Sequence, residues 1–113
     1  MIGLRLYMAQ RITALLMAPF VLVHLGVMIY AIQGGLSAAE ILGRTQGSVV
    51  WFLFYGSFTL AVAIHAAIGL RAIAYEWGGL KGPALEVGMW AVGVGLLCLG
   101  WYSVWAVTYG VAA

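Results

Sequence analysis

The chain has 113 residues, of which 65% are hydrophobic and only 7% charged, with a formal net charge of +2. A soluble domain of this size cannot clothe so much apolar side chain with so little polar surface, which excludes a water-soluble enzyme and a nucleic-acid-binding module. An integral membrane protein is expected, and any chemistry done in water then belongs to another chain.

Stretches without Asp, Glu, Lys or Arg run over residues 12–39, 45–70 and 87–113. Each exceeds the roughly 20 residues needed to cross about 30 Å of hydrocarbon. The expected fold is an all-α membrane protein with three transmembrane helices, about residues 10–33, 47–77 and 84–110, in a single domain over 1–113. Arg5 and Arg11 precede the first run as they would in a cleavable signal peptide. That run is longer than an h-region of about 7–15 residues and offers no convincing small-residue cleavage site before Tyr30, so it is expected to be retained.

The two connections are legible. Gly34 and Gly35 break the first helix; Ser37 and Glu40 then form the pattern of a capping box for one or two turns of interfacial helix ending at Gly43. Gly78 and Gly79 stop the second helix, and Pro83 suits the first turn of the third, with Glu86 near its positive end. Cys98, the only cysteine, excludes an intrachain disulfide and sits in an apolar run as a packing residue.

Arg5, Arg11, Arg71 and Lys81 gather at one boundary and only Arg44 at the other, which puts the N-terminus inside and the C-terminus outside. Tyr30, Trp51, Tyr55, Trp101, Tyr102, Trp105 and Tyr109 then lie near the outer boundary, with Tyr7, Tyr75 and Trp77 near the inner one, as interfacial anchors.

Two histidines lie within the spans, where an unsatisfied polar group costs several kcal/mol. His24 lies about 20 Å beyond Arg11 along a helix and His65 about 9 Å before Arg71, an offset of about 11 Å. Two imidazoles on one iron face each other across about 4 Å, with metal–nitrogen bonds near 2.0–2.1 Å. Unless helix tilts cancel the offset, His24 and His65 serve different irons, each completed by a histidine from another chain. Around His65, the small residues Ala61, Gly69 and Ala72 share a helix face and admit something flat and wide. A porphyrin has that shape, its iron takes neutral imidazole, and Arg11 and Arg71 lie on the inner side to meet anionic propionates. These residues alone leave two readings open: a haem ligand, or a histidine bonded to a neighbouring helix whose small residues serve close packing.

The segment "HAAIGLRAIAYEW" resembles the second-helix signature of the cytochrome b subunits of succinate dehydrogenase: a haem-ligating His followed by Gly four residues on, Arg six on and an acidic residue eleven on. Those positions are His65, Gly69, Arg71 and Glu76. "QRITALL" is similar to the family's "HR-x-SG" motif, with Arg11 on the arginine. Gln10 stands in place of its His, Thr13 of its Ser and Ala14 of its Gly, while Tyr7 stands where a serine near the quinone is often found. His24, with Pro19 some residues earlier, is similar in placement to the first-helix ligand of two-haem members.

The resemblance implies a non-catalytic membrane-anchor subunit of a succinate:quinone oxidoreductase or quinol:fumarate reductase in a bacterial inner membrane. A flavoprotein and an iron–sulfur subunit would oxidise succinate and pass electrons to ubiquinone or menaquinone. His65 would be one axial ligand of a haem b, and His24 a ligand of a second haem nearer the outer face. Arg11, Arg71 and Gly69 would line the haem, and Tyr7, Arg11 and Glu76 part of the quinone pocket. The partner in the membrane would be a second anchor subunit or another copy of this chain, since a two-fold axis along the membrane normal puts two His65 residues at equal depth. A haem-free anchor or assembly subunit is the alternative. A small multidrug transporter fits less well, because Glu40, Glu76 and Glu86 all lie at boundaries and none within a span.

Overall fold

A computed structural model describes residues 3–110 as four helices: α1 (Leu4–Gly34), α2 (Ala38–Thr45), α3 (Val49–Glu76) and α4 (Pro83–Thr108). The described residues contain no strand. α1, α3 and α4 are each long and apolar enough to cross a membrane. Large apolar side chains are exposed on every side of these helices, Leu22 at 70% and Val50 at 75% among them. A helix that is apolar all round needs lipid or protein on all sides, so the molecule is a three-span membrane protein with one short helix in its first connection.

α1 begins at Leu4, about two turns before the expected start near residue 10. The charged flank marks where hydrocarbon ends, not where helix ends; no Gly or Pro interrupts residues 4–11, so the helix runs on through Arg5 and Arg11. Gly35, at φ +102°, takes the chain out of α1 in a conformation that other residues rarely adopt. Ser37 Oγ accepts the Glu40 backbone N–H at 3.1 Å and caps α2, which continues through the expected stop at Gly43 to Thr45. Ser48 caps α3 in the same way through the Trp51 N–H at 3.2 Å. α3 ends at Glu76 before Gly79, at φ +71°, turns the chain, and Pro83 opens α4.

α3 lies between its two long neighbours and packs on both, whereas α1 and α4 scarcely touch. On the α4 side the contact is between small residues. Ala63 and Ala67 of α3 are buried, a β-carbon added to Gly93 would stand 3.3 Å from Ala67 Cβ, and one added to Gly100 would collide with the Thr59 methyl. Lipid offers no hydrophobic drive to bring helices together, so close backbone approach and dispersion hold this pair. On the other side, α1 turns Gln10, Thr13, Met17, Phe20, His24 and Ala31 inward at helical spacing. Phe20 meets Phe54 edge-on at 5.4 Å and stacks on Phe58 at 5.5 Å between ring centroids.

Both ends of the α3–α4 hairpin are fastened by polar contacts. The Thr45 hydroxyl donates to the Val107 carbonyl at 2.8 Å and the Gly47 N–H to the Thr108 carbonyl at 2.6 Å. At the opposite end Arg71 donates to Glu86 Oε1 from Nε at 3.0 Å and from Nη2 at 2.5 Å.

Candidate histidine site between the first and third helices

His65 projects from α3 toward α1, half-buried, with Nδ1 3.3 Å from the hydroxyl of Thr13. Thr13 is itself buried, at 5% exposure, and its hydroxyl lies 2.7 Å from the Ala9 carbonyl and 3.1 Å from that of Gln10. The hydroxyl has one proton, and the shorter contact to Ala9 matches the usual O–H···O separation. A proton turned toward the helix carbonyls leaves the hydroxyl oxygen able to accept Nδ1–H from His65. In that tautomer Nε2 carries the free lone pair, the form in which an imidazole binds iron. One turn toward the C-terminus of α3, Gly69 faces Gln10, whose Nε2 would lie 3.6 Å from an added β-carbon. Two buried side-chain polar atoms lack a hydrogen-bond partner among the described residues, Gln10 Oε1 and Arg71 Nη1.

His24 faces the same seam at another depth. It lies between Tyr55 and Phe58, with ring centroids 6.0 and 5.6 Å away and the rings near perpendicular. It has no hydrogen-bond partner among the described residues. Thr13 marks the level of His65 on α1, and His24 lies about 16 Å farther along that helix. Measured on α3, from His65 to Tyr55 and Phe58, the offset is about 10–15 Å. The helix crossing does not cancel the separation, so one iron between these two imidazoles is geometrically excluded. No group of three or more His, Cys, Asp or Glu side chains gathers among the described residues, so each level offers one imidazole.

A model of the succinate dehydrogenase/fumarate reductase transmembrane subunit family matches residues 2–110, nearly the whole chain. The chain belongs to that family. A search of curated proteins and a search of solved structures each found no match. Membership makes the chain a membrane subunit of a succinate dehydrogenase or fumarate reductase complex and implies association with its flavoprotein and iron–sulfur subunits.

Within this family subunit, the charged residues singled out from the sequence fall on several faces. Tyr7 and Arg11 form a pair on the exposed side of α1: Arg11 Nε donates to the Tyr7 hydroxyl at 3.1 Å, and its guanidinium lies over the Tyr7 ring. Arg11 is turned about 160° round α1 from Thr13. Arg71 is turned about 120° round α3 from His65, toward α4, where Glu86 holds it. Glu76, exposed at the end of α3, shares the His65 face within about 20°. The structure thus gathers His65, Thr13, Gln10 and Gly69, and holds Arg11 and Arg71 on separate faces.

Thr13 and Glu86 carry contacts that sequence reasoning did not assign them. Gln10 and Thr13, one turn apart and polar where the helix enters its apolar run, were the available signal for an inward polar face on α1.

The donor chemistry at the His65 level, one imidazole among small apolar residues, suits a haem iron. The imidazole has a hydroxyl at Nδ1 and small residues beside it, while Arg71, whose buried Nη1 lacks a hydrogen-bond partner among the described residues, lies on the α4 side of α3.

Proposed function

We propose that this chain is the cytochrome b membrane anchor of a succinate:quinone oxidoreductase or quinol:fumarate reductase, with His65 as an axial ligand of a haem b shared with a partner chain. The observation that carries this proposal is the 3.3 Å contact of His65 Nδ1 with the buried Thr13 hydroxyl, from which we assign the proton to Nδ1 and leave Nε2 for iron. Haem b, when bound, supplies a one-electron store or conduit beside the route to quinone. The chain's own work is to hold the imidazole at one depth, keep water from it with the apolar α1–α3 seam, and offer cations where anionic groups meet the boundary.

For that last task Arg71 retains a buried Nη1 with no acceptor among the described residues, which suits it to a propionate. Arg11 and Tyr7, paired on the outward side of α1, suit a quinone head group or a propionate approached from the partner chain, with Glu76 at the same boundary. His24 is proposed as ligand of a second haem nearer the outer face; the absence of a hydrogen-bond partner among the described residues and its separate depth support that role. The partner is a second anchor subunit or a second copy of this chain, the quinone is ubiquinone or menaquinone, and the membrane is a bacterial inner membrane with the N-terminus inside, as the basic residues favour.

A reduced-minus-oxidised spectrum of the purified complex tests the proposal. The wild type should show a low-spin b-type haem, and His65→Ala should remove or strongly perturb it, since no neighbouring apolar side chain can replace the iron–nitrogen bond. A complex without haem, or a mutant with unchanged haem spectrum and stoichiometry, would leave the chain as a haem-free anchor.

A further inference from the structure

A histidine that binds iron through one ring nitrogen is oriented by whatever holds the other. The group facing Nδ1 of His65 comes from a different helix, 52 residues away in sequence. Thr13 is well suited to hold that nitrogen. It is buried, so water does not compete for its oxygen. Its proton is engaged by the Ala9 and Gln10 carbonyls at 2.7 and 3.1 Å, which fixes the hydroxyl rotor as an acceptor toward α3. A rotor free to donate would permit either tautomer of the imidazole; this one permits the tautomer with Nδ1 protonated.

We infer that Thr13 is the positioning residue for the haem ligand: its hydroxyl oxygen accepts Nδ1–H of His65 and thereby sets the ring's tautomer and orientation, with Nε2 left to the iron. This rests on the haem assignment above. The same bond makes the imidazole the stronger electron donor, because an acceptor at Nδ1–H raises ligand basicity and favours the ferric state. The first helix then contributes to the haem's potential without touching the iron.

The experiment compares Thr13→Val, Thr13→Ala and Thr13→Ser with His65→Ala in the assembled complex, by redox titration and by the rate of haem loss to a soluble haem acceptor. Val and Ala should raise the midpoint potential and speed haem loss about tenfold or more, the effect usual for removing an outer partner of a metal-bound histidine. A tenfold loss confined to the ferric state corresponds to about 59 mV for one electron. Ser, which keeps the hydroxyl and its bond to the i−4 carbonyl, should stay near wild type. Val and Ala matching wild type in both readouts, while His65→Ala has lost the haem, would overturn the role of Thr13 and leave the haem assignment standing. Ser perturbed as much as Val would overturn it too, since the effect would then not depend on the hydroxyl. His65→Ala retaining the wild-type haem would overturn the haem assignment, and the inference with it. Electron–nuclear double resonance of the unmutated ferric complex reads the bond without a variant: the Nδ1 proton should exchange slowly into D2O, and rapid exchange would refute the bond to Thr13.

Discussion

Replacing Gly100 with Ala tests the close packing that holds the hairpin of α3 and α4. An added β-carbon collides with the Thr59 methyl and stands 3.3 Å from Thr59 Cβ and 3.4 Å from its Oγ1. Turning the Thr59 side chain removes the methyl from the clash but leaves its Cβ, so α4 must retreat as well. Overpacking of this kind costs about 1–3 kcal/mol, and the gain in helix propensity from Gly to Ala returns about 0.5–1 kcal/mol. The net expectation is a loss of about 1–2 kcal/mol. Two other glycines of α4 supply the scale. Gly95 has nothing within 4 Å of an added carbon, so Gly95→Ala should be neutral or stabilising; Gly93, whose added carbon would meet Ala67 Cβ at 3.3 Å, should fall between. The assay is the midpoint of SDS-induced unfolding of the assembled complex in detergent micelles, followed by near-ultraviolet circular dichroism. The expected order of midpoints is Gly95→Ala, Gly93→Ala, Gly100→Ala from highest to lowest. A Gly100→Ala midpoint at or above that of Gly95→Ala would refute the packing account.

A redox titration of the complex should resolve two haems, one lost selectively in His24→Ala and the other in His65→Ala; a single haem untouched by the His24 change would leave His65 as the only iron ligand. Arg11→Gln should lower quinone reductase activity more than electron transfer to a soluble dye that accepts electrons upstream, whereas equal losses would indicate damaged assembly. Glu86→Gln should cost at most about 1 kcal/mol, because Glu86 is 48% exposed and its pair with Arg71 is screened at the boundary, and the SDS midpoint should move little. Ser37→Ala removes the hydroxyl that caps α2 and should cost about 1 kcal/mol locally, seen as faster amide exchange at Glu40 with the rest of the chain unchanged.

The three spans and the turns between them were legible from the chain itself, though not the early start of α1 or the last turn of α2. Hydrocarbon thickness requires a minimum apolar length, and three stretches meet it. Gly35 and Gly79 take positive φ where the connections turn, Ser37 caps α2, and Pro83 starts α4; all of these depend on a few adjacent residues and on backbone sterics. The two histidines were legible as functional candidates for a similar local reason, since an imidazole in an apolar run needs an explanation wherever its helix lies. Even their separation in depth followed from helical rise, although it is larger when measured along α1, at about 16 Å, than the about 11 Å counted from the boundaries.

Which faces of the helices meet was decided only in three dimensions. In water a helix shows its inner side as an apolar stripe, but α1, α3 and α4 are apolar all round because lipid solvates what protein does not, and the stripe disappears. Nothing along the chain therefore said that Thr13 meets His65 across 52 residues, or that Glu86 draws Arg71 toward α4 across 15. Nor did it say that Arg11 turns away from the histidines it precedes. Those partnerships follow from the packing of small residues along α3, which sets the rotation of each helix and so determines which polar group each histidine and arginine finds.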